Sequence, residues 1–172
     1  MYKKKVFFIL PDLYYGGAQK TFCNIINFLS KNHNQNFEYY LLSINETKII
    51  YNLDDAIIRI NLNSKRTLFS FFKLIKIFLK LKPNYVFSTT IHINLISIFL
   101  KLILISNNFK LIIRESNPSF FRNDITLFLK FLIKIFYRFS DHIICLSEFV
   151  KCDIENNLKI DKKNISIIYN PI

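Results

Sequence analysis

The sequence predicts an α/β fold with a doubly wound, mostly parallel sheet and helices on both faces. Three observations lead there. Short apolar runs alternate with longer runs of helical period along the chain. The short runs are apolar at successive positions rather than at every second one, which suits strands covered on both faces. The 172 residues fit one domain, taken as 1–172, with no internal repeat, low-complexity tract or linker.

Each element follows in order. Residues 6–10 form an apolar run that Pro11 closes, a first strand. A helix fits 18–31, with Phe22, Ile25, Ile26 and Leu29 on one face. Residues 37–44 and 56–62 read as strands. A helix over 68–81 carries Lys73, Lys76 and Lys80 as a narrow polar stripe, and Pro83 ends it. Then come strand 85–88, helix 91–105, strand 110–114, helix 125–139, strand 142–146, helix 148–158 and strand 165–169. Six or seven strands result, with right-handed crossovers. Helices 68–81 and 125–139 are apolar over broad faces; in the second, Thr126, Lys130, Lys134 and Arg138 form one i,i+4 line. Core packing is expected for most of each face. The alternative is an edge that meets lipid, with lysines reaching head groups.

Composition narrows the function classes. The formal net charge is +12, compatible with nucleic acid, an anionic membrane or an anionic small molecule. The lysines are dispersed, and Lys, Asn, Ile, Phe and Tyr are all abundant, as A/T-rich coding alone would produce. No nucleic-acid motif or aromatic-basic platform accompanies the charge, so no nucleic-acid partner is expected. Cys23, Cys145 and Cys152 are odd in number and match no metal box. They read as buried free thiols, and no metal is expected. Residues 6–10 are too short for a secretory apolar region of ~7–15 residues. The stretch 93–105, interrupted by Lys101, is shorter than the ~20 residues that span a bilayer. The expectation is a cytoplasmic protein, free or peripheral on the inner face of the membrane.

In sheets of this kind the ligand crevice lies beyond the carboxyl ends of the strands. That rule selects Pro11, Gly16, Gly17 and Gln19 after the first strand, and Ser88, Thr89, Thr90 and His92 after the strand at 85. It also selects Arg114, Glu115, Ser116 and Asn117 after the strand at 110, and Ser147 and Glu148 after the strand at 142. Gly16 and Gly17 are the chain's two glycines. They either open a helix N-terminus toward a phosphate or sugar or serve a loop that needs positive φ. Neither a GxGxxG fingerprint nor a P-loop is present. Glu115 reads as a base or a grip on a sugar hydroxyl, or else as a salt-bridged or capping carboxylate. His92 reads as a general base or as a first-turn helix residue. Ser147 and Glu148 read as the N-cap and first turn of the helix after them.

Four segments then point to a family. Lys5-Val6-Phe7-Phe8-Ile9-Leu10-Pro11 followed by Gly16-Gly17-Ala18-Gln19-Lys20 resembles the opening of family 4 glycosyltransferases, with Gln19 where an acidic residue is common. Ile112 to Asn117 looks like the family's segment after its fifth strand. Arg138 to Glu148 is similar to its strand that ends in Ser-Glu. Ile167 to Ile172 resembles the junction into its C-terminal domain.

The resemblance implies a Rossmann-like, acceptor-side N-terminal half of a GT-B fold from a retaining enzyme. It places the Gly16-Gly17 turn at the interdomain cleft near the donor phosphates and the acceptor. The family's frequent histidine after the fifth strand has no counterpart among Arg114 to Asn117. A nucleotide-sugar donor is implied as substrate rather than cofactor, gripped by a C-terminal domain not contained in 1–172. That domain, or a separate chain supplying it, is the expected partner, and an anionic membrane surface is a second. Alone, the chain is expected not to transfer sugar. The competing expectation is a non-catalytic remnant, or a membrane-docking or interaction subunit of a split enzyme.

Overall fold

The structure is a computed structural model that describes residues 3–46, 50–64 and 67–170. Its elements are β1 (Lys4–Leu10), α1 (Gly17–His33), β2 (Phe37–Ser43), β3 (Ile58–Asn61), α2 (Thr67–Leu81) and β4 (Tyr85–Thr89). They continue with α3 (Ile91–Ile103), β5 (Lys110–Glu115), α4 (Leu127–Phe136), β6 (His142–Cys145), α5 (Glu148–Asn157) and β7 (Ile165–Ile167). Seven strands form one sheet in the order β3-β2-β1-β4-β5-β6-β7. Every pairing is parallel, with Val6 opposite Tyr85 where β1 meets β4.

Alternation along β1 divides the core. Phe7 and Ile9 join Leu74, Phe78, Ile93, Ile98, Ile133 and Ile154, so α2 to α5 cover that face. Val6, Phe8 and Leu10 join Phe22, Cys23 and Ile26 of α1 on the other. Because the chain winds outward through β2 and β3 and then returns to place β4 beside β1, the order reverses between β1 and β4. Loops leaving those two strands diverge there and leave a crevice at their carboxyl ends.

As expected, α2 packs on the core through Phe71, Leu74, Ile75, Ile77, Phe78 and Leu81, and α4 through Leu129, Leu132, Ile133 and Phe136, but the outer edges of both apolar faces stand at the surface. Phe72 is 70 % exposed, Leu127 84 % and Phe128 70 %. Both helices pack against α3, and α3 is the one that buries an unbroken run from Ile93 to Ile98. An all-round apolar composition does not say which of three neighbouring helices takes the middle. Two of the noted lysines also do not border solvent freely. Lys73 donates to the carbonyls of Leu62 and Asn63, and Lys130 donates to that of Phe120 at 2.7 Å. Cys23 and Cys145 are buried free thiols, whereas Cys152 is exposed. Among the described residues no helix is long and apolar enough to cross a membrane.

Candidate functional site: a polar cavity at the carboxyl ends of the strands

A cavity of about 630 Å³ opens at the carboxyl ends of β1, β4 and β5. Gly17 and Gln19 enter it from α1, His92 from α3, and Arg114, Glu115 and Asn117 from β5 and the turn after it. Eight of the fourteen residues selected by the strand-end rule therefore line it, Thr90 and Ser116 among them. Gly16 and Thr89 are not lining residues; Gly16 is half-buried and Thr89 is buried beneath Arg114. Arg122, Asp124 and Asn170 also line the cavity, and the strand-end rule had not selected them.

The first turn of α1 is built from small polar contacts. Gly16 is extended at φ 176°, and its N-cap position makes no side-chain cap. No glycine has positive φ, so the positive-φ reading of the pair is not what the backbone shows. The two glycines instead make space. A Cβ at Gly16 would stand 2.0 Å from Oε1 of Gln19, whose Nε2 donates to Asp12 Oδ1 at 3.0 Å. A Cβ at Gly17 would meet nothing within 4 Å. With no capping side chain, the N–H groups at the start of α1 keep their positive potential for whatever enters.

Arg114 is the cavity's charged centre. Its side chain is nearly inaccessible, at 4 % exposure. Its guanidinium donates to Thr89 Oγ1 at 3.3 Å, to Ser116 Oγ at 2.9 Å and to Asn170 Oδ1 at 2.7 Å. All three acceptors are neutral, and among the described residues no salt bridge joins Arg114 to a carboxylate. Burial pulls its pKa down, and the charge of Glu115 opposes that pull. Asn170 also accepts from Thr21 Oγ1 at 3.3 Å, so the segment after β7 is tied to α1 through the same oxygen.

Glu115 points to the opposite side of the strand. It is 3 % exposed and accepts from Asn94 Nδ2 at 2.9 Å, from Ser119 Oγ at 3.2 Å and from the Tyr137 hydroxyl. Asn94 accepts in turn from Ser88 Oγ at 2.8 Å. Glu115 is thus neither salt-bridged nor a helix cap. Burial raises its pKa more than the three donors lower it. His92, in contrast, stands exposed in the first turn of α3. Just before it, Thr90 holds φ 72°, a conformation a β-branched residue rarely adopts.

The far wall carries Arg122 and Asp124, paired with each other through two contacts. Nothing in their i,i+2 spacing distinguishes them in sequence; the loop after β5 brings them over. Asn170 is likewise placed by the course of the chain beyond β7. Ser147 does cap α5, accepting from Val150 N at 3.2 Å, with Glu148 in the first turn.

The sequence profile of Glycosyltransferase Family 4 matches residues 15–172. No curated protein matches the chain. Among solved structures, the apo lipopolysaccharide outer core galactosyltransferase WaaB superimposes with a TM-score of 0.71 at 13 % identity, over 98 % of this chain and 46 % of that one. A glycosyltransferase from Rickettsia africae gives 0.71 at 17 %, over 100 % and 44 %. A UDP-N-acetylglucosamine 2-epimerase from Rickettsia bellii gives 0.69 at 12 %, over 98 % and 45 %. At these identities the likeness carries the fold alone. The chain spans less than half the length of these three structures.

Proposed function

The chain belongs to glycosyltransferase family 4, and from that premise we propose that it is the acceptor-side, N-terminal domain of a sugar-transferring enzyme. The donor is a nucleotide sugar. The acceptor is a saccharide or a lipid-linked saccharide in the synthesis of a cell-surface polysaccharide or glycolipid. The observation that carries this reading is the buried Arg114, bonded to neutral partners, beside an uncapped helix N-terminus in a polar cavity.

When a glycosidic bond to a nucleoside diphosphate breaks, negative charge grows on the leaving phosphate. A fixed guanidinium and the open N–H groups of α1 favour that charge without rearrangement. Gly17 leaves room for close approach, and Gln19 and Asn117 offer donors and acceptors to sugar hydroxyls. His92 faces the acceptor side as the candidate base. Glu115, with both carboxylate oxygens already accepting hydrogen bonds, is a positioning residue that holds the end of β5 against α3 and Tyr137. Thr89 does the same for Arg114. The second wall of the cleft is supplied by a donor-binding C-terminal domain or by a separate chain. The protein works in the cytoplasm, peripherally on the membrane.

The test is turnover of UDP-, GDP- and CMP-sugars with soluble and lipid-linked acceptors. It is run with this chain alone and with the chain joined to a family 4 donor-binding domain. Transfer by the joined protein that is lost in Arg114→Met supports the reading. Robust transfer by the chain alone, or none in any combination, overturns it.

A further inference from the structure

We propose that the apolar groove between α2, α3 and α4 is the seat of a single hydrocarbon tail belonging to the acceptor, whose head occupies the polar cavity. The proposal rests on the reading of that cavity as an acceptor site and adds the acceptor's class: an amphiphile with an anionic or sugar head and a prenyl or acyl chain.

The groove has a volume of about 630 Å³, equal to that of the polar cavity. The two share His92 and Leu129 as lining residues, so they meet at the first turn of α3. Their walls differ sharply. Arg114, Arg122 and Asn117 lie on one side of the junction, whereas Leu68, Phe71, Phe99 and Leu132 lie on the other. Besides His92, Thr126 is the one polar residue lining the groove. From His92 the groove follows α3 to Ile103, roughly 16 Å at the rise of an α-helix. A ligand that fits both compartments must change from polar to apolar where the wall does. A wholly polar oligosaccharide would leave the groove filled with poorly bonded water, and a plain hydrocarbon would leave the buried guanidinium unanswered.

The groove also gives a partner to some of the large apolar side chains at the surface. Leu68 at 73 %, Phe128 at 70 % and Ile103 at 59 % exposure stand on the groove's lining. A chain lying between them would cover apolar surface that the protein's own core does not reach.

The experiment measures binding of n-alkyl phosphates from hexyl to dodecyl to the full chain by titration calorimetry. All are kept below their micelle concentrations, with inorganic phosphate as the head-group control. Each added methylene should tighten binding about threefold, and the gain should stop once the chain fills the groove. Ile103→Glu, at the far end, should weaken dodecyl phosphate at least ~10-fold and leave hexyl phosphate unchanged. Phe72→Glu alters an equally exposed aromatic that does not line the groove and should change neither. Ile103→Gln is the milder companion should the charged variant melt early. Affinity that ignores chain length, or a Phe72→Glu loss as large as that of Ile103→Glu, overturns the proposal in favour of unspecific adsorption to an apolar surface. The transferase reading is scored separately. Sugar transfer to a soluble acceptor without tail-length dependence sinks only the groove. Tail-length dependence without any transfer sinks only the transferase.

Discussion

The two ends of the sheet treat buried charge in opposite ways. At the amino end, Asp141 precedes β6 and meets two cations. Lys101 forms a close pair with it, Lys110 lies at 3.5 Å, and the Leu111 N–H donates at 2.6 Å. Its side chain keeps 25 % of its surface exposed. At the carboxyl end, Arg114 and Glu115 are neighbours in sequence, more deeply buried, and bonded to neutral groups on opposite sides of one strand. The first arrangement is what a fold does with charge when stability is the only demand. The second costs stability, since each ion gives up water without a counter-ion in contact. Charge kept under such conditions, in a cavity, is the feature on which the proposed ligand site rests.

Replacing the cavity's cation tests that contrast most severely. Arg114→Met in the protein joined to a donor-binding domain should lower kcat/KM on the order of 100-fold. Its melting temperature should hold within a few degrees, roughly a 1 kcal/mol change, because the charge removed had no carboxylate partner. Asp141→Ala should do the reverse, lowering the melting temperature while activity per folded molecule holds. If the two variants behave alike, the ends of the sheet do not differ in purpose.

Gly17→Val is the next largest. The added side chain projects where a Cβ has no neighbour within 4 Å among the described residues, and valine's helix propensity is no worse than glycine's, so folding tolerates it. On the proposed reading, the same open space is the ligand's path to the helix N-terminus. Activity should fall about tenfold, as misplacement of the reacting groups demands. Full activity would show that the glycine is incidental.

How much of this was legible in sequence differs between the two ends as well. The strands were readable because a parallel sheet needs continuous apolar runs. Val6 to Leu10 and Leu111 to Ile113 could hardly be anything else, and the helices between them ended within a few residues of their expected limits. Gly17, His92 and Arg114 were found by a topological rule that needs only the strand ends. What remained hidden depends on contacts between distant parts of the chain. Arg122 and Asp124 reach the cavity by way of a loop, and Asn170 reaches Arg114 across 56 residues of sequence. The network of Glu115 required Asn94 from α3 and Tyr137 from the turn after α4. Periodicity gave α2 its length and α4 a span that runs on into a 3-10 turn at Tyr137–Phe139, but not which apolar residues of either helix stay exposed, because burial of an outer helix is decided by its neighbours.

Titration should separate the two carboxylates by sign. For Asp141, burial favours the neutral form, but the Lys101 bond, the Leu111 N–H and both lysine charges outweigh it and hold its pKa below the ordinary value. Its contribution is present above that ordinary value and is lost as pH falls through the depressed one. Glu115 is shifted up, chiefly by burial. Protons then favour the folded state, so stability is fullest below the ordinary carboxylate range and declines as pH rises through the elevated folded value. Asp141→Asn should flatten the acid limb of stability against pH. Glu115→Gln should flatten the limb above it. Denaturant titrations at closely spaced pH would show both; an unchanged upper limb in Glu115→Gln would mean that the buried network holds the charged form without penalty.

The smallest effect concerns strain. At the amino end, Asn108 adopts a left-handed conformation at φ 37° and ψ 44°, which asparagine tolerates. At the carboxyl end, Thr90 holds φ 72° with ψ 139°, a region where a β-branched side chain is strained by about 1–3 kcal/mol. Glycine would remove that strain but brings an unfolded-state entropy cost of roughly 0.5–1 kcal/mol. Thr90→Gly should therefore raise stability by about 1 kcal/mol, read as a higher denaturant midpoint at constant m-value. Thr90 is the residue on which α3 starts, and its conformation sets the direction in which His92 leaves the sheet. A variant that gains stability and loses activity would show that the strain serves the cavity. A variant that gains stability with activity intact would leave Thr90 as an ordinary imperfection. Loss of stability would mean that the Thr90 side chain contributes more than its backbone costs.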